Sequence, residues 1–163
     1  MATTPYVGAD SEMLGQIIRQ AEARLEAQLT AALGADQRAM TFAGLLMAAV
    51  GAMLGFSFSR ATDPLVAPII AVSVGLIFAA ALAAWSAQPT KWEYVGNVPS
   101  AWLSDIEDAV PVHMGMAQMA DWYDGMIATN EEAIGHAAFR MRLSMVVALL
   151  SLLAGTVGAV WHH

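Results

Sequence analysis

The stretch LVAPIIAVSVGLIFAAALAAWSA, residues 65–87, runs for 23 residues without one ionisable side chain. A hydrocarbon core of ~30 Å is crossed by about 20 helical residues, so this segment is long enough to span a bilayer. Inside lipid every backbone N–H and C=O must be bonded within the segment, which makes it a helix and not a strand. Two further uncharged stretches, residues 41–59 and 143–161, meet the same length condition. Their Gly and Ala content makes them less hydrophobic, and it is the lack of charge that marks them. The fold expected is an all-α integral membrane protein with three transmembrane helices.

The whole composition agrees. The chain has 163 residues, 58% of them hydrophobic and 13% charged, against about 45–50% and about 25% in ordinary soluble domains. One domain of this size could not cover so much apolar surface in water. No cysteine is present, which removes disulfides, thiolate metal sites and cysteine nucleophiles. A formal charge of −7 with only seven Lys and Arg residues argues against nucleic-acid binding, which needs clustered cations to neutralise phosphate. The amino-terminal ten residues lack a basic region and an apolar run, so no cleaved signal is expected.

The seven cations report orientation instead. Arg19, Arg24 and Arg38 precede the first span, and Lys91, Arg140 and Arg142 flank residues 88–142, whereas Arg60 alone sits in the short turn at 60–64. By the positive-inside rule the amino terminus and the central segment are expected to be cytoplasmic and the carboxyl terminus to lie outside. Trp85, Trp92 and Trp161 fall near span ends, where indoles commonly sit at headgroup level.

Four segments follow: an amino-terminal cytoplasmic amphipathic helix within residues 1–40, a transmembrane hairpin at 41–87 (41–59 and 65–87), a helical cytoplasmic segment at 88–142, and a third transmembrane helix at 143–161. Asp10 or Ser11 can cap the first helix, which runs to about Gln37 with Leu14, Ile18, Ala21, Leu25, Leu29 and Ala32 at helical spacing. That spacing is compatible with a short coiled coil and with packing on the central segment. Pro89, Gly96, Asn97, Pro99 and Pro111 interrupt regular structure, leaving a helix over about 100–110. From His113 a second helix, with Met116, Met119, Ala120, Tyr123, Met126, Ile127, Ile134, Ala137 and Met141 on its apolar positions, can run on into the third span.

No residues assemble a recognisable catalytic motif. No G-x-G-x-x-G or G-x-x-x-x-G-K-[ST] loop and no nucleophile elbow occurs, so the chain is not expected to be an enzyme. Glu132 and His136 share a helix face but lack the third and fourth ligands of a metal site, and a solvated face is expected there. Met114, Met116, Met119 and Met126 could offer thioethers to Cu(I), yet at helical spacing and without cysteine they read as core. No metal or resident cofactor is expected, and the terminal His162-His163 is read as no site.

The spans instead carry helix-packing signals. Gly51 and Gly55 form a G-x-x-x-G behind Gly44 and Ala48, and Gly75, Ala79 and Ala83, like Ser151, Gly155 and Ala159, repeat the spacing of small residues that lets helices approach closely. The absence of charge within the spans argues against proton relays, charged selectivity rings and coupled transport.

Ala35-Asp36-Gln37-Arg38-Ala39, joining the first helix to the first span, resembles the A-D-x-K-A approach to the membrane in transmembrane effectors of bacterial Pycsar antiphage systems, with Arg38 for the usual Lys. The layout is similar too: a two-span hairpin, a cytoplasmic segment, and residues 130–142 leading through basic residues into a last span. Two-span effectors of other nucleotide-signalled defence systems look similar at this level. The resemblance implies an effector activated by a cyclic pyrimidine nucleotide, cCMP or cUMP, made by a partner cyclase, and causing abortive infection by impairing the inner membrane. The partners expected are the bilayer and, through the small-residue faces of the spans, further copies of the chain. Arg38, Arg140 and Arg142 are the cations placed to meet the ligand's negative charge, although each also serves to set topology; Trp102, Trp122 and Tyr123 could stack a base or fill a core. The alternatives are an accessory or assembly subunit of a larger membrane complex and a holin-like pore former.

Overall fold

The computed structural model describes residues 4–60, 63–88, 91–96 and 98–161. Pro89, Asn97 and His162-His163 lie outside these, as do the first three residues, part of the 60–64 turn and the side chain of Trp161. The described chain is helical: α1 (Ser11–Ser59), α2 (Val66–Ser86), a 3-10 turn (Pro99–Trp102), α3 (Leu103–Glu107) and α4 (Val112–Trp161). The 49 residues of α1 and the 50 of α4 are more than twice the about 20 that a bilayer core needs. Three helices, α1, α2 and α4, are long and apolar enough to cross a membrane.

The chain divides into two compact units. The first holds residues 1–32 and 90–134, the second residues 33–89 and 135–163, so α1 and α4 contribute to both without a break. The first helix expected from the sequence therefore does not stop near Gln37. Residues 35–41 contain neither Gly nor Pro, and no competing turn chemistry ends the helix before the apolar stretch begins.

Large and small side chains share the core of the first unit. Ala21, Leu25, Tyr123 and Met126 make its core, with Ile18, Val95, Met119 and Ile127 packed around them. Leu14 and Asn130 are also fully enclosed. Asp10 caps α1, its Oδ1 accepting from the Met13 N–H at 2.8 Å, and Thr4 Oγ1 ties the segment before α1 to the Ala117 carbonyl at 3.2 Å. Pairing of Ala21 and Leu25 with Tyr123 and Met126, and of Gln28 with Ile127, sets α1 and α4 parallel here.

The segment from 98 to 112 departs from the helix expected over 100–110. It opens as a 3-10 turn and becomes α-helical only at Leu103–Glu107. Ala109 ends it at a φ of 51°, where the Val110 N–H reaches the Asp105 carbonyl at 2.8 Å and the Ala109 N–H the Ile106 carbonyl at 3.2 Å. That double closure satisfies the last carbonyls and stops the helix short of Pro111.

Small side chains dominate the interior of the second unit. Its interior is Ala43, Ala79, Ala80, Ala83 and Ala148 with Val50, Val72 and Leu76, while Leu45, Phe58, Val74, Phe78, Leu149, Leu153 and Val157 are exposed. In water such a surface would aggregate; against acyl chains, small residues inside and large apolar residues outside are the arrangement helix packing favours. One cluster joins Val50, Val72, Leu76 and Ala148, and the next joins Ala43, Ala80, Ala83 and Met141, so α2 runs antiparallel to α1 and α4. Ser144 Oγ donates across the interface to the Ala79 carbonyl at 2.6 Å, with both residues fully buried. Interhelical bonds of this kind in apolar surroundings contribute about 0.6–2 kcal/mol.

Candidate functional site

The small residues marked in the sequence divide into two sets. A Cβ on Gly75 would overlap the Ser151 side chain, and one on Gly155 would overlap Val72 Cγ2. At these glycines α2 and α4 leave no room for a side chain. A Cβ on Gly44, Gly51 or Gly55 would meet nothing within 4 Å, so the G-x-x-x-G face is open among the described residues.

The cations proposed for a ligand sit at one end of the second unit. Met141, between Arg140 and Arg142, packs on the cluster around Ala43, Ala80 and Ala83, and Arg38 lies just over one turn before Ala43 on α1. They are not equivalent. Arg140 donates from Nη1 to the Trp85 carbonyl at 3.2 Å, and its guanidinium lies 4.9 Å from the Trp85 ring centre. It thus neutralises the negative end of α2 and stacks on the indole there. Arg38 and Arg142 are exposed, and among the described residues no carboxylate pairs with either. Of the Ala35, Asp36, Arg38 and Ala39 motif, only Ala39 is buried, and the helix passes through all four.

The three aromatic candidates part company in the first unit. Tyr123 is wholly buried, its hydroxyl donating to Glu22 Oε1 at 3.1 Å. Burial, with the Glu22 hydrogen bond and its charge, holds this phenol above its ordinary pKa. Tyr6 is raised as well, first by its hydrogen bond to Asp124. Trp122 stacks on Tyr123 with ring centres 5.6 Å apart but stays 42% exposed. Its indole lines a cleft of about 230 Å³ with Trp102, Ala101, Asp105, Gly115, Gln118 and Met119. Trp102 Cζ3 stands 3.1 Å from where a Gly115 Cβ would be, so the glycine makes room for the indole.

Met119 and Met126 pack about Tyr123, and Glu132 and His136 are exposed on α4. No three His, Asp or Glu side chains gather to hold a metal among the described residues. Asn130 was not legible as a structural residue. Fully buried, it accepts from the Glu93 N–H at 3.1 Å and donates to the Glu93 carbonyl at 3.0 Å, holding the chain after α2 onto α4. Its only signal in the sequence was an amide at a position in phase with the apolar residues of α4.

Charge separates sharply. The first unit has twelve carboxylates against Arg19, Arg24 and Lys91; the second has Asp36 and Asp63 against four arginines. Arg24 is paired with Glu131 and Lys91 with Glu93. No protein-family model, curated protein or solved structure matches this chain.

Proposed function

We propose that the chain is a non-enzymatic membrane effector of nucleotide-signalled antiphage defence, answering a cyclic pyrimidine nucleotide by impairing the inner membrane. The observation that carries the reading is that α1 and α4 each serve a polar, acidic unit and an apolar three-helix unit without interruption. In this reading it is the continuity of α1 and α4 that would carry a ligand's effect from its site to the apolar helices. Nucleotide signalling itself comes from the resemblance at residues 35–39. The ligand's charge directs it to exposed Arg38 and Arg142 and away from the acidic unit. To gate anything, it must bind the assembled state more tightly than the resting state.

The active state in this reading is an oligomer built through the open Gly44, Gly51 and Gly55 face. The test is membrane potential and dye uptake in cells expressing the chain with and without a cyclase that makes cCMP or cUMP. Depolarisation only with the nucleotide is expected, and Gly51→Leu with Gly55→Leu should abolish it. An intact membrane in both conditions, with insertion confirmed, overturns the reading. A second reading, an accessory subunit of a larger membrane complex, rests on the same open face; stable co-purification with such a complex, without toxicity, would favour it.

A further inference from the structure

We propose that the cleft between α3 and α4 in the first unit binds a compact organic cation of the quaternary-ammonium class. This goes beyond the nucleotide reading and does not depend on it. Trp102 and Trp122 supply two indoles, whose electron-rich faces are the strongest side-chain partners of a cation. Met119 adds a soft apolar contact. Asp105 brings one carboxylate, and among the described residues no side chain pairs with it.

Size and wall chemistry narrow the ligand. A volume of about 230 Å³ is below the roughly 300–1,000 Å³ of pockets for drug-sized molecules, and suits a headgroup better than a nucleotide. The Asp105 carboxylate and the Gln118 amide oxygen can satisfy the N–H donors of a bare ammonium, so it is the Trp102, Trp122 and Met119 side chains that favour a methylated nitrogen. A trimethylammonium group has no donors, and its methyls suit indole and thioether walls. The surroundings reinforce the sign: Glu107, Asp108, Asp121 and Asp124 neighbour the lining residues in sequence, in a unit where carboxylates outnumber cations twelve to three. The same headgroup could come from a free solute such as choline or from phosphatidylcholine.

The experiment uses the full chain in nanodiscs of phosphatidylethanolamine and phosphatidylglycerol, titrated with choline and with its uncharged carbon isostere 3,3-dimethyl-1-butanol, read by calorimetry and tryptophan fluorescence. Saturable choline binding at least about tenfold tighter than the isostere is expected, because only the charged ligand gains the indole and carboxylate attraction. Asp105→Asn and Trp122→Leu should each weaken it by about fivefold or more. Both residues lie outside the core, and unchanged circular dichroism and melting will show that each variant folds. Equal binding of the isostere, no saturable binding, or indifference to Asp105→Asn overturns the proposal. Repeating the titration in phosphatidylcholine nanodiscs separates the sources: choline binding blocked there means that the lipid headgroup fills the cleft, and binding unaltered means a free solute does. No cyclase is present, so failure here is distinct from failure of the effector reading.

Discussion

Asn130 shows how one side chain can anchor a segment that has no regular structure. Residues 91–96 form no ladder or helix, so Glu93 must find partners for its N–H and C=O elsewhere, and a single carboxamide supplies both. Asn130→Ala removes the two bonds and leaves those backbone groups partly buried. A loss of about 1–3 kcal/mol is expected, read as a shifted unfolding midpoint of the tryptophan signal in detergent-solubilised protein. A shift below a few tenths of a kcal/mol would mean that water replaces the amide at no cost.

At the scale of elements, the α2–α4 contact is set by the absence of side chains at two positions. Gly75 receives Ser151 and Gly155 receives Val72, and the β-branched valine cannot easily rotate away. Gly75→Ala should push the helices apart and destabilise the unit by about 1–3 kcal/mol. Gly51→Ala, with nothing within 4 Å, should leave stability unchanged or raise it by up to about 1 kcal/mol, since alanine favours a helix interior. Thermal melting of the two variants side by side checks the contrast; equal losses would mean that α1 uses its glycine face within the folded chain. The effector reading then asks more of Gly51, because a leucine there should block assembly while the fold survives.

Across the whole molecule, the parallel course of α1 and α4 with α2 antiparallel makes a prediction about sidedness. The chain has no native cysteine, so single cysteines report position cleanly. Gln37→Cys and Gln88→Cys should label from one side of the membrane and Ser59→Cys from the other, since α1 and α2 pass through the second unit in opposite directions. Labelling of Gln37→Cys and Ser59→Cys from the same side would show that α1 does not cross. With six of seven cations at the Gln37 end, that end is expected to face the cytoplasm.

The sequence by itself determined which stretches form helices long and apolar enough to cross a hydrocarbon layer, because a run of uncharged residues of that length is a local property. Residues 41–59, 65–87 and 143–161 carried that reading, and the Asp10 cap is equally local, whereas the helix ends expected near Gln37 and over 100–110 depended on more than the local pattern. Partnership was not local. Gly51 and Gly75 look alike in the sequence, each within a small-residue repeat, yet one faces open space and the other receives a serine, since this depends on which face of the neighbouring helix is turned toward it. Trp122 and Tyr123 are adjacent, and helical rotation sends one to the rim of a cleft and the other into the core. The cleft itself, in which Trp102 and Asp105 meet Trp122 across a turn closed by Ala109, exists only once the chain has folded back on α4.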